Sequence, residues 1–303
     1  MLTGASGLLG ANFLLAAADR YDIMAVAHRH PVRAGAELLA VDITDSRAVA
    51  EVVRRTRPAA IVHTAAMTGV DACEEDPAGA RRLNTDATGY LATAAQAVGA
   101  RFIAISTDYV FDGRKGRYTE EDPPQPLGVY AKTKLEGEVV ARTCCPSATI
   151  LRTTLYGWNA QPKHSFAERV LDGAAQRNPT TAFVDMWWSP ILANDLAAAI
   201  VTVLEQPTPG VFHVAGRDRC SRYEFACAVA TAFGHDPATA VRSGHLRDAR
   251  LKAPRPPDAS LDVSRFERTF GVTLPTTAQG IARMRVLQQE GWVTRLKALV
   301  PPD

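Results

Sequence analysis

Tyr130 and Lys134 form the pair whose residue types and spacing most clearly suggest chemistry. They stand four residues apart, as Tyr-x-x-x-Lys, in a stretch that the sequence predicts to be helical. Residues at i and i+4 share one face of a helix, so both side chains point into the same cleft. A phenol, with an ordinary pKa of about 10, is a poor acid at neutral pH, and a nearby ammonium lowers that pKa. The pair therefore predicts a tyrosine that protonates a carbonyl oxygen as hydride arrives at the carbon.

Thr107 lies at the carboxyl end of a predicted strand, about 25 residues before this pair, and Ser106 precedes it. A hydroxyl at this position can donate to a substrate carbonyl and orient it beside the tyrosine. We predict this role for Thr107. We expect Ser106 to lie closer to the nicotinamide of the hydride-donating cofactor, for which the next motif is evidence. The alternative is that Thr107 only caps the strand end through a local backbone bond.

A glycine-rich loop opens the chain, about 120 residues before the tyrosine, with the spacing Gly-x-x-Gly-x-x-Gly. Glycines permit a tight turn from strand to helix, and the following helix offers free N–H groups to a pyrophosphate. The spacing differs from the Gly-x-Gly-x-x-Gly of the standard dinucleotide fingerprint. The predicted cofactor contacts in this loop are Gly4, Ser6, Gly7, Leu8, Leu9 and Gly10.

The end of the second predicted strand bears on the choice of cofactor. An NAD site usually places a carboxylate there, whereas this chain has His28 and Arg29, and a guanidinium suits the 2′-phosphate of NADP. We therefore predict NADP(H) and leave NAD(H) open. Asp42 and Ile43 follow the next strand and are predicted to contact the adenine, although Asp42 could equally be a helix cap.

Short apolar runs alternate with helical patterns through the first half of the chain, which predicts a doubly wound parallel α/β sheet. The predicted strands are Ile23–Ala27, Leu38–Val41, Ala60–His63, Phe102–Ser106 and Thr149–Leu151, and the predicted helices are Leu8–Arg20, Ser46–Thr56, Ala78–Val98 and Val129–Arg142. We place a dinucleotide-binding domain at 1–155, to which 185–215 returns, and a smaller, discontinuous α/β substrate lobe at 156–303. The helices predicted in that lobe are His164–Gln176, Asn194–Glu205, Arg222–Phe233 and Thr277–Leu299.

Composition excludes several other classes of protein. The 303 residues carry a net charge of +2 and no long basic run, which argues against nucleic acid as a partner. The N-terminus has no secretory signal and no apolar run is long enough to span a bilayer, so we expect a cytoplasmic protein without a membrane partner. The seven histidines and five cysteines lack metal-ligand spacing, so we expect no metal site.

Several further motifs resemble those of the dTDP-4-dehydrorhamnose reductase family, which are extended short-chain dehydrogenases/reductases with a Rossmann-like fold. The resemblance covers essentially the whole chain, and its most specific part is Ser-Thr-Asp-Tyr-Val-Phe-Asp-Gly at 106–113. The other matching segments are 4–10, 65–71, 130–137, 185–190, 210–216 and 255–262.

The resemblance implies NADPH-dependent reduction of the 4-keto group of a nucleotide-activated 6-deoxyhexose. It implies that Tyr130 is the proton donor, that Lys134 is its electrostatic partner and a ligand of the cofactor ribose, and that Thr107 orients the carbonyl. It further implies cofactor contacts from Ala65, Ala66 and Met67 and sugar contacts from Val70, Asp108 and Tyr109, and we add Thr68 from the same segment. A homodimer is left open.

One departure from the family pattern falls in the expected sugar pocket. The family often carries a tryptophan two residues after an Arg-Thr pair, and this chain has Leu155 in that register. Trp158 lies close by in the sequence, so we predict that it contacts the sugar instead.

Two other functions remain open. The β subunit of methionine adenosyltransferase resembles the same family, so a non-catalytic, NADP-binding regulatory subunit is an alternative; the intact Thr107, Tyr130 and Lys134 favour an enzyme. A sugar-nucleotide epimerase is a weaker alternative, because such enzymes prefer NAD. A dehydratase is disfavoured, since Asp108 is followed by Tyr109 and not by a second carboxylate.

Overall fold

A computed structural model describes residues 1–27, 32 and 37–300. Within these residues, seven parallel strands form one sheet in the order β3-β2-β1-β4-β5-β6-β11. The strands are β1 (Leu2–Thr3), β2 (Met24–Ala27), β3 (Glu37–Ala40), β4 (Ala60–His63), β5 (Arg101–Thr107), β6 (Thr149–Thr153) and β11 (Gly210–His213). The doubly wound fold is thereby confirmed.

The strand order reverses between β1 and β4, and this reversal fixes where a ligand can bind. The chain winds outward from β1 to β3 and then returns to β4 on the other side of β1. Helices that leave the neighbouring strand ends in opposite directions open a crevice at this point. Leu2 lies in register with Ala25 on one side and Val62 on the other, so β1 is central although it is two residues long.

Helices cover both faces of this sheet. Asp45 caps α2 by accepting from the backbone N–H groups of Arg47 and Ala48, and Gly99 ends α5 with a left-handed φ of 71°. The helices up to β11 are α1 (Leu8–Ala17), α2 (Ser46–Thr56), α3 (Val70–Glu75), α4 (Pro77–Arg81), α5 (Ala87–Val98), α6 (Val129–Cys144), α7 (Phe166–Ala175) and α8 (Ala193–Glu205). A short 3₁₀ turn, Asp108–Val110, follows β5.

Two predicted helices are interrupted in the structure. The predicted helix Ala78–Val98 contains a π-helical turn at Arg82–Asp86, between α4 and α5. The predicted helix Thr277–Leu299 is two helices, because Gly291 adopts a left-handed φ of 76° between them.

The rest of the chain forms short strand pairs and helices beside the sheet. Its strands are β7 (Leu155–Tyr156), β8 (Thr180–Phe183), β9 (Trp187–Trp188), β10 (Ile191–Leu192), β12 (Cys220–Ser221) and β13 (Val241–Gly244). Its helices are α9 (Arg222–Ala232), α10 (Pro237–Ala240), α11 (Ser264–Phe270), α12 (Thr277–Gln289) and α13 (Trp292–Leu299), with a 3₁₀ turn at Leu246–Asp248. The pairing of β11 with β6 confirms that this strand returns to the main sheet; the division into two domains stays a prediction.

In the described part of the chain, no helix is long and apolar enough to cross a membrane.

Candidate active site

A cleft of about 920 Å³ lies at the carboxyl ends of the central strands, where the strand order reverses. The glycine loop, the 3₁₀ turn after β5 and the start of α6 line it, together with Thr153, Thr154, Leu155, Asn159, Gln161, Lys163, His164, Ser165 and Arg222. Its volume suits a dinucleotide and a second ligand.

The glycine loop fits a dinucleotide because two of its glycines are sterically required. Gly4 has a φ of 70°, and a Cβ there would lie 2.6 Å from the backbone N of Ala65; a Cβ on Gly10 would lie 2.1 Å from the carbonyl O of Gly4. Gly7 is the N-cap of α1 and has no side chain to occupy the first free N–H groups. Those N–H groups and the positive end of the helix dipole therefore face the cleft, where a pyrophosphate can accept from them.

Asp42 lines the cleft next to Ile43. Its Oδ1 accepts from the backbone N and the hydroxyl of Thr44, at 2.9 and 2.7 Å, whereas the cap of α2 is Asp45. Of the two roles considered for Asp42, the structure excludes the helix cap. The position of the carboxylate beside an apolar side chain fits an adenosine contact.

The hydroxyl of Thr107 is fixed by its neighbours at the end of β5. It donates to Oδ1 of Asp108 at 3.0 Å and accepts from the backbone N of Tyr109 at 3.2 Å. Burial raises the pKa of the Asp108 carboxyl to about 6, and the charge of Arg222 and a hydrogen bond from Thr107 oppose this rise. The local backbone bond considered for Thr107 is therefore present, and it orients a hydroxyl that also faces the cleft.

Tyr130 lies in the first turn of α6, with its ring edge-on to Tyr109 at a centroid distance of 6.3 Å. Burial raises the pKa of the Tyr130 phenol, and a hydrogen bond with Thr107 opposes the rise. The net direction is opposite to the lowering that the sequence led us to expect from Lys134. A raised pKa keeps the proton on the phenol, which is the form that a proton donor needs.

Lys134 is buried, and its ammonium donates to the backbone carbonyl of Ile105 at 2.8 Å. Burial lowers the pKa of Lys134 to about 8, and the charge of Glu138 opposes that effect. The ammonium is therefore anchored to β5, one residue before Ser106, on the same helix as Tyr130. Because both side chains also line the cleft, the predicted pair is brought to one place.

A buried ion pair lies one helical turn beyond Lys134. Arg152 on β6 donates to both carboxylate oxygens of Glu138, with its Nη2 2.7 Å from Oε2 and its Nε 3.0 Å from Oε1. The hydroxyl of Ser106 donates to the same carboxylate. These bonds fix α6, which carries Tyr130 and Lys134, against the ends of β5 and β6.

Asn84 lies in the π-helical turn and connects two walls of the site. Its Oδ1 accepts from the backbone N of Met67 at 2.8 Å, and its Nδ2 donates to the hydroxyl of Thr133 at 3.1 Å. The side-chain amide thus braces the segment after β4 against α6.

Comparison with known proteins identifies the family to which this chain belongs. The sequence pattern of the RmlD substrate binding domain family matches residues 1–289. The chain belongs to this family.

Its relatives include methionine adenosyltransferase β subunits as well as dTDP-4-dehydrorhamnose reductases. The chain is 36% identical over 284 residues to methionine adenosyltransferase 2 subunit beta of Bos taurus, which covers 90% of this chain and 82% of that protein. It is 31% identical over 289 residues to the dTDP-4-dehydrorhamnose reductase of Sinorhizobium fredii, covering 89% and 96%. The crystal structure of dTDP-4-dehydrorhamnose reductase from Bacillus anthracis in complex with NADP superposes with a TM-score of 0.84, at 26% identity and covering 94% and 97% of the two chains.

Nearly all the site residues predicted from the sequence line the cleft described above. They are Gly4, Ser6, Gly7, Leu8, Leu9, Gly10, Asp42, Ile43, Ala65, Ala66, Met67, Thr68, Val70, Ser106, Thr107, Asp108, Tyr109, Tyr130 and Lys134. His28 and Arg29 lie outside the described residues, so the prediction of NADP over NAD at that strand end stays a prediction.

Trp158 is the predicted contact that the structure places elsewhere. It is buried, its Nε1 donates to the backbone carbonyl of Met284 at 2.9 Å, and its ring packs edge-on against Phe233. Because the indole N–H is used by α12, the side chain belongs to the core. The prediction of a sugar contact from Trp158 is therefore wrong, whereas Leu155 does line the cleft.

The sequence reasoning missed Arg222 and Lys163, which bring positive charge to the cleft. Arg222 is the first residue of α9, and its sequence context predicts only a helix there. Its place in the cleft depends on the pairing of β12 with β9, more than 30 residues earlier in the chain, and no local pattern reveals that pairing. For Lys163, we find no sequence signal.

Proposed function

We propose that this protein is an NADPH-dependent reductase of a nucleotide-activated sugar, acting on the 4-keto group of a 6-deoxyhexose. The observation that carries the proposal is the convergence of Thr107, Tyr130 and Lys134 in one cleft with a glycine loop that fits a dinucleotide. Membership of the family and the NADP complex of the Bacillus anthracis relative support the choice of chemistry and cofactor. NAD(H) is the alternative cofactor.

NADPH, when bound, supplies the hydride. The glycine loop and the first turn of α1 would hold its pyrophosphate, Asp42 and Ile43 its adenosine, and the segment after β4 its nicotinamide half. Lys134, anchored by Ile105 O beneath Tyr130, is in place to reach the ribose and to stabilise developing negative charge nearby.

The chain's own residues would handle the carbonyl oxygen. Thr107 presents a hydroxyl whose position is fixed by Asp108 and Tyr109. Tyr130 holds its proton, because burial raises the pKa of its phenol, and it can release that proton to the more basic alkoxide. The proton acceptor would be the oxygen at C4 of the sugar.

The proposal is tested by following NADPH oxidation with dTDP-4-keto-6-deoxyhexoses, with the same sugars lacking the keto group as controls. Consumption of NADPH that requires the keto sugar, with one alcohol product per NADPH, supports the reductase. Tight NADPH binding without consumption across the keto sugars contradicts it.

A regulatory subunit is the second candidate, and the 36% identity to methionine adenosyltransferase 2 subunit beta favours it. Its test is separate from the first. The protein would form a stable complex with a methionine adenosyltransferase catalytic subunit from the same source and would change the methionine KM of that subunit. Failure to co-elute at micromolar concentrations contradicts this function.

A further inference from the structure

Arg222 brings to the cleft a positive charge that the proposed reduction does not use. It follows Ser221, whose side chain caps α9, and its backbone N donates to the carbonyl of Met186 at 2.9 Å. The pairing of β12 with β9 holds this end of α9 beside the segment that carries Trp188. The position of Arg222 is therefore fixed by the backbone as well as by its side chain.

Aromatic rings hold the guanidinium of Arg222. Its Cζ lies 3.4 Å from the ring centroid of Trp188 and 5.5 Å from that of Phe166, and Trp188 is only 2% exposed. A planar guanidinium on an aromatic face keeps its N–H edges available for polar partners. The stacking therefore orients the group without neutralising its charge.

No carboxylate pairs with Arg222 in the part of the chain that the structure describes. Asp108 is close enough to sense its charge, but the Asp108 carboxylate accepts from Thr107, and its Oδ2 has no hydrogen-bond partner among the described residues. A second cation, Arg169, stacks on the same Phe166 ring at 5.5 Å. Around Arg222 these contacts thus place two guanidinium groups, Arg222 and Arg169, against one carboxylate, Asp108.

Lys163 brings a further positive charge to the cleft. It lines the same cleft, and its Nζ lies 3.4 Å from the hydroxyl of Thr68. A cleft that gathers two cations beyond the carbonyl-binding residues is suited to an anionic substrate. Carboxylates and phosphates are the groups that accept paired N–H donors from a guanidinium.

We propose that Arg222 is a specificity-determining residue that binds an anionic oxygen of the substrate. The anion is the diphosphate of the sugar nucleotide or, where the hexose is a hexuronate and not the 6-deoxyhexose proposed above, the carboxylate at C6; both share this chemistry. The inference rests on the proposed function, because it assumes that the sugar nucleotide occupies the cleft beside Arg222. Beyond that function, the inference specifies an anionic group that the substrate must carry.

The experiment is calorimetric titration of the NADP-saturated protein with UDP-glucose, dTDP-glucose and UDP-glucuronate. The variants are Arg222→Met and Arg222→Lys, and the matched control is Arg169→Met, which removes a charge from the same aromatic ring outside the cleft. Unchanged NADP binding by each variant shows that it is folded. Binding, and not turnover, is the readout.

We expect Arg222→Met to weaken binding by about 10- to 100-fold, since a charge-assisted hydrogen bond is lost. Arg222→Lys keeps part of the affinity, and Arg169→Met stays within about twofold of the wild type. An equal loss with all three sugar nucleotides identifies the diphosphate as the anion. A loss confined to UDP-glucuronate identifies a sugar carboxylate and contradicts a 6-deoxyhexose as the substrate.

Wild-type affinity in Arg222→Met, or an equal loss in Arg169→Met, overturns the inference. So does a wild-type protein that binds none of the three ligands. The proposed function can fail separately: binding that depends on Arg222, with no NADPH consumption by any keto sugar, contradicts the reductase and leaves the anion site standing.

Discussion

The hydroxyl of Thr107 donates to the buried carboxylate of the very next residue, Asp108, across 3.0 Å. This contact places a carboxylate that burial makes hard to ionise, with its pKa raised to about 6, beside the hydroxyl that faces the substrate. At neutral pH the carboxylate is charged and holds the Thr107 proton, so the hydroxyl is oriented before a substrate arrives. Because the ionised carboxylate is buried, this orientation of Thr107 is accompanied by a lower free energy of unfolding.

The first prediction concerns that cost. Because the folded-state pKa of Asp108 lies above the ordinary value of about 3.8, ionisation destabilises the fold as pH rises from about 4 to 6. Asp108→Asn removes this ionisation and keeps an oxygen that accepts from Thr107. We expect its free energy of unfolding at pH 7 to rise by about 3 kcal/mol, as measured by urea denaturation.

Asp112→Asn is the control for this prediction, since its sign is opposite. A hydrogen bond from Tyr118 lowers the pKa of the Asp112 carboxyl, so its ionised form stabilises the fold above the unfolded pKa and that stability is lost as pH falls. Asp112→Asn should therefore be less stable than the wild type at pH 7. If Asp108→Asn is also less stable at pH 7, the cost assigned to Asp108 is wrong.

The second prediction concerns Lys134 and pH. With the pKa of Lys134 lowered to about 8 by burial, the ammonium is present below that pH and is lost above it. If the ammonium supports proton transfer, kcat/KM should fall as pH rises through about 8. Steady-state kinetics from pH 6 to 10 measure this limb.

Lys134→Arg separates this cause from others, because a guanidinium stays charged throughout that range. Its residual activity should lack the limb near pH 8. The NADPH dissociation constant, measured over the same pH range, shows whether binding and not chemistry produces the change. A limb of the same midpoint in both proteins argues against Lys134.

The third prediction tests the glycine loop. A Cβ on Gly10 would lie 2.1 Å from the carbonyl O of Gly4, so Gly10→Ala must displace the loop backbone. We expect NADPH affinity to fall more than about 10-fold, which is 1.4 kcal/mol. Fluorescence titration measures it, and circular dichroism shows that the variant is folded.

Gly99→Ala serves as the comparison for general destabilisation. Gly99 also has a positive φ, of 71°, but a Cβ there meets nothing within 4 Å and the residue is far from the cleft. It should lose about 1 kcal/mol of stability and bind NADPH normally. Equal losses of affinity in both variants would mean that the loop geometry is not the cause.

The fourth prediction separates Trp158 from the sugar. Trp158→Phe leaves the Met284 carbonyl without its donor, so we expect the free energy of unfolding to fall by about 1–3 kcal/mol. The KM for the sugar nucleotide should stay within about twofold of the wild type. Leu155→Ala, in the cleft wall, should instead raise that KM, and the reverse pattern would restore Trp158 to the sugar pocket.

Much of the site follows from the sequence because its parts are local. The glycine loop, the Thr107 segment and the Tyr130–Lys134 pair each lie within a few residues, and parallel strands bring their ends to one edge. Arg222 and Trp158 show what local pattern does not supply. Arg222 lies in the cleft because β12 pairs with β9. Trp158 lies outside it, in the core, where its Nε1–H donates to the carbonyl of Met284, 126 residues later in the chain.

The direction of the Tyr130 pKa depends in the same way on tertiary structure. Four-residue spacing places an ammonium near the phenol, but the spacing does not show how much water the fold removes. Burial outweighs the neighbouring groups, so the pKa of the phenol rises.

A single-turnover experiment with NADPH deuterated at C4 of the nicotinamide tests the central claim most directly. The wild-type protein and Tyr130→Phe are each mixed with a dTDP-4-keto-6-deoxyhexose, and deuterium at C4 of the sugar is followed by mass spectrometry. The account predicts labelled product from the wild type and a rate lower by about 10²- to 10⁴-fold in Tyr130→Phe with NADPH binding intact. Equal transfer rates in the two proteins, or no label in the wild-type product, would contradict it.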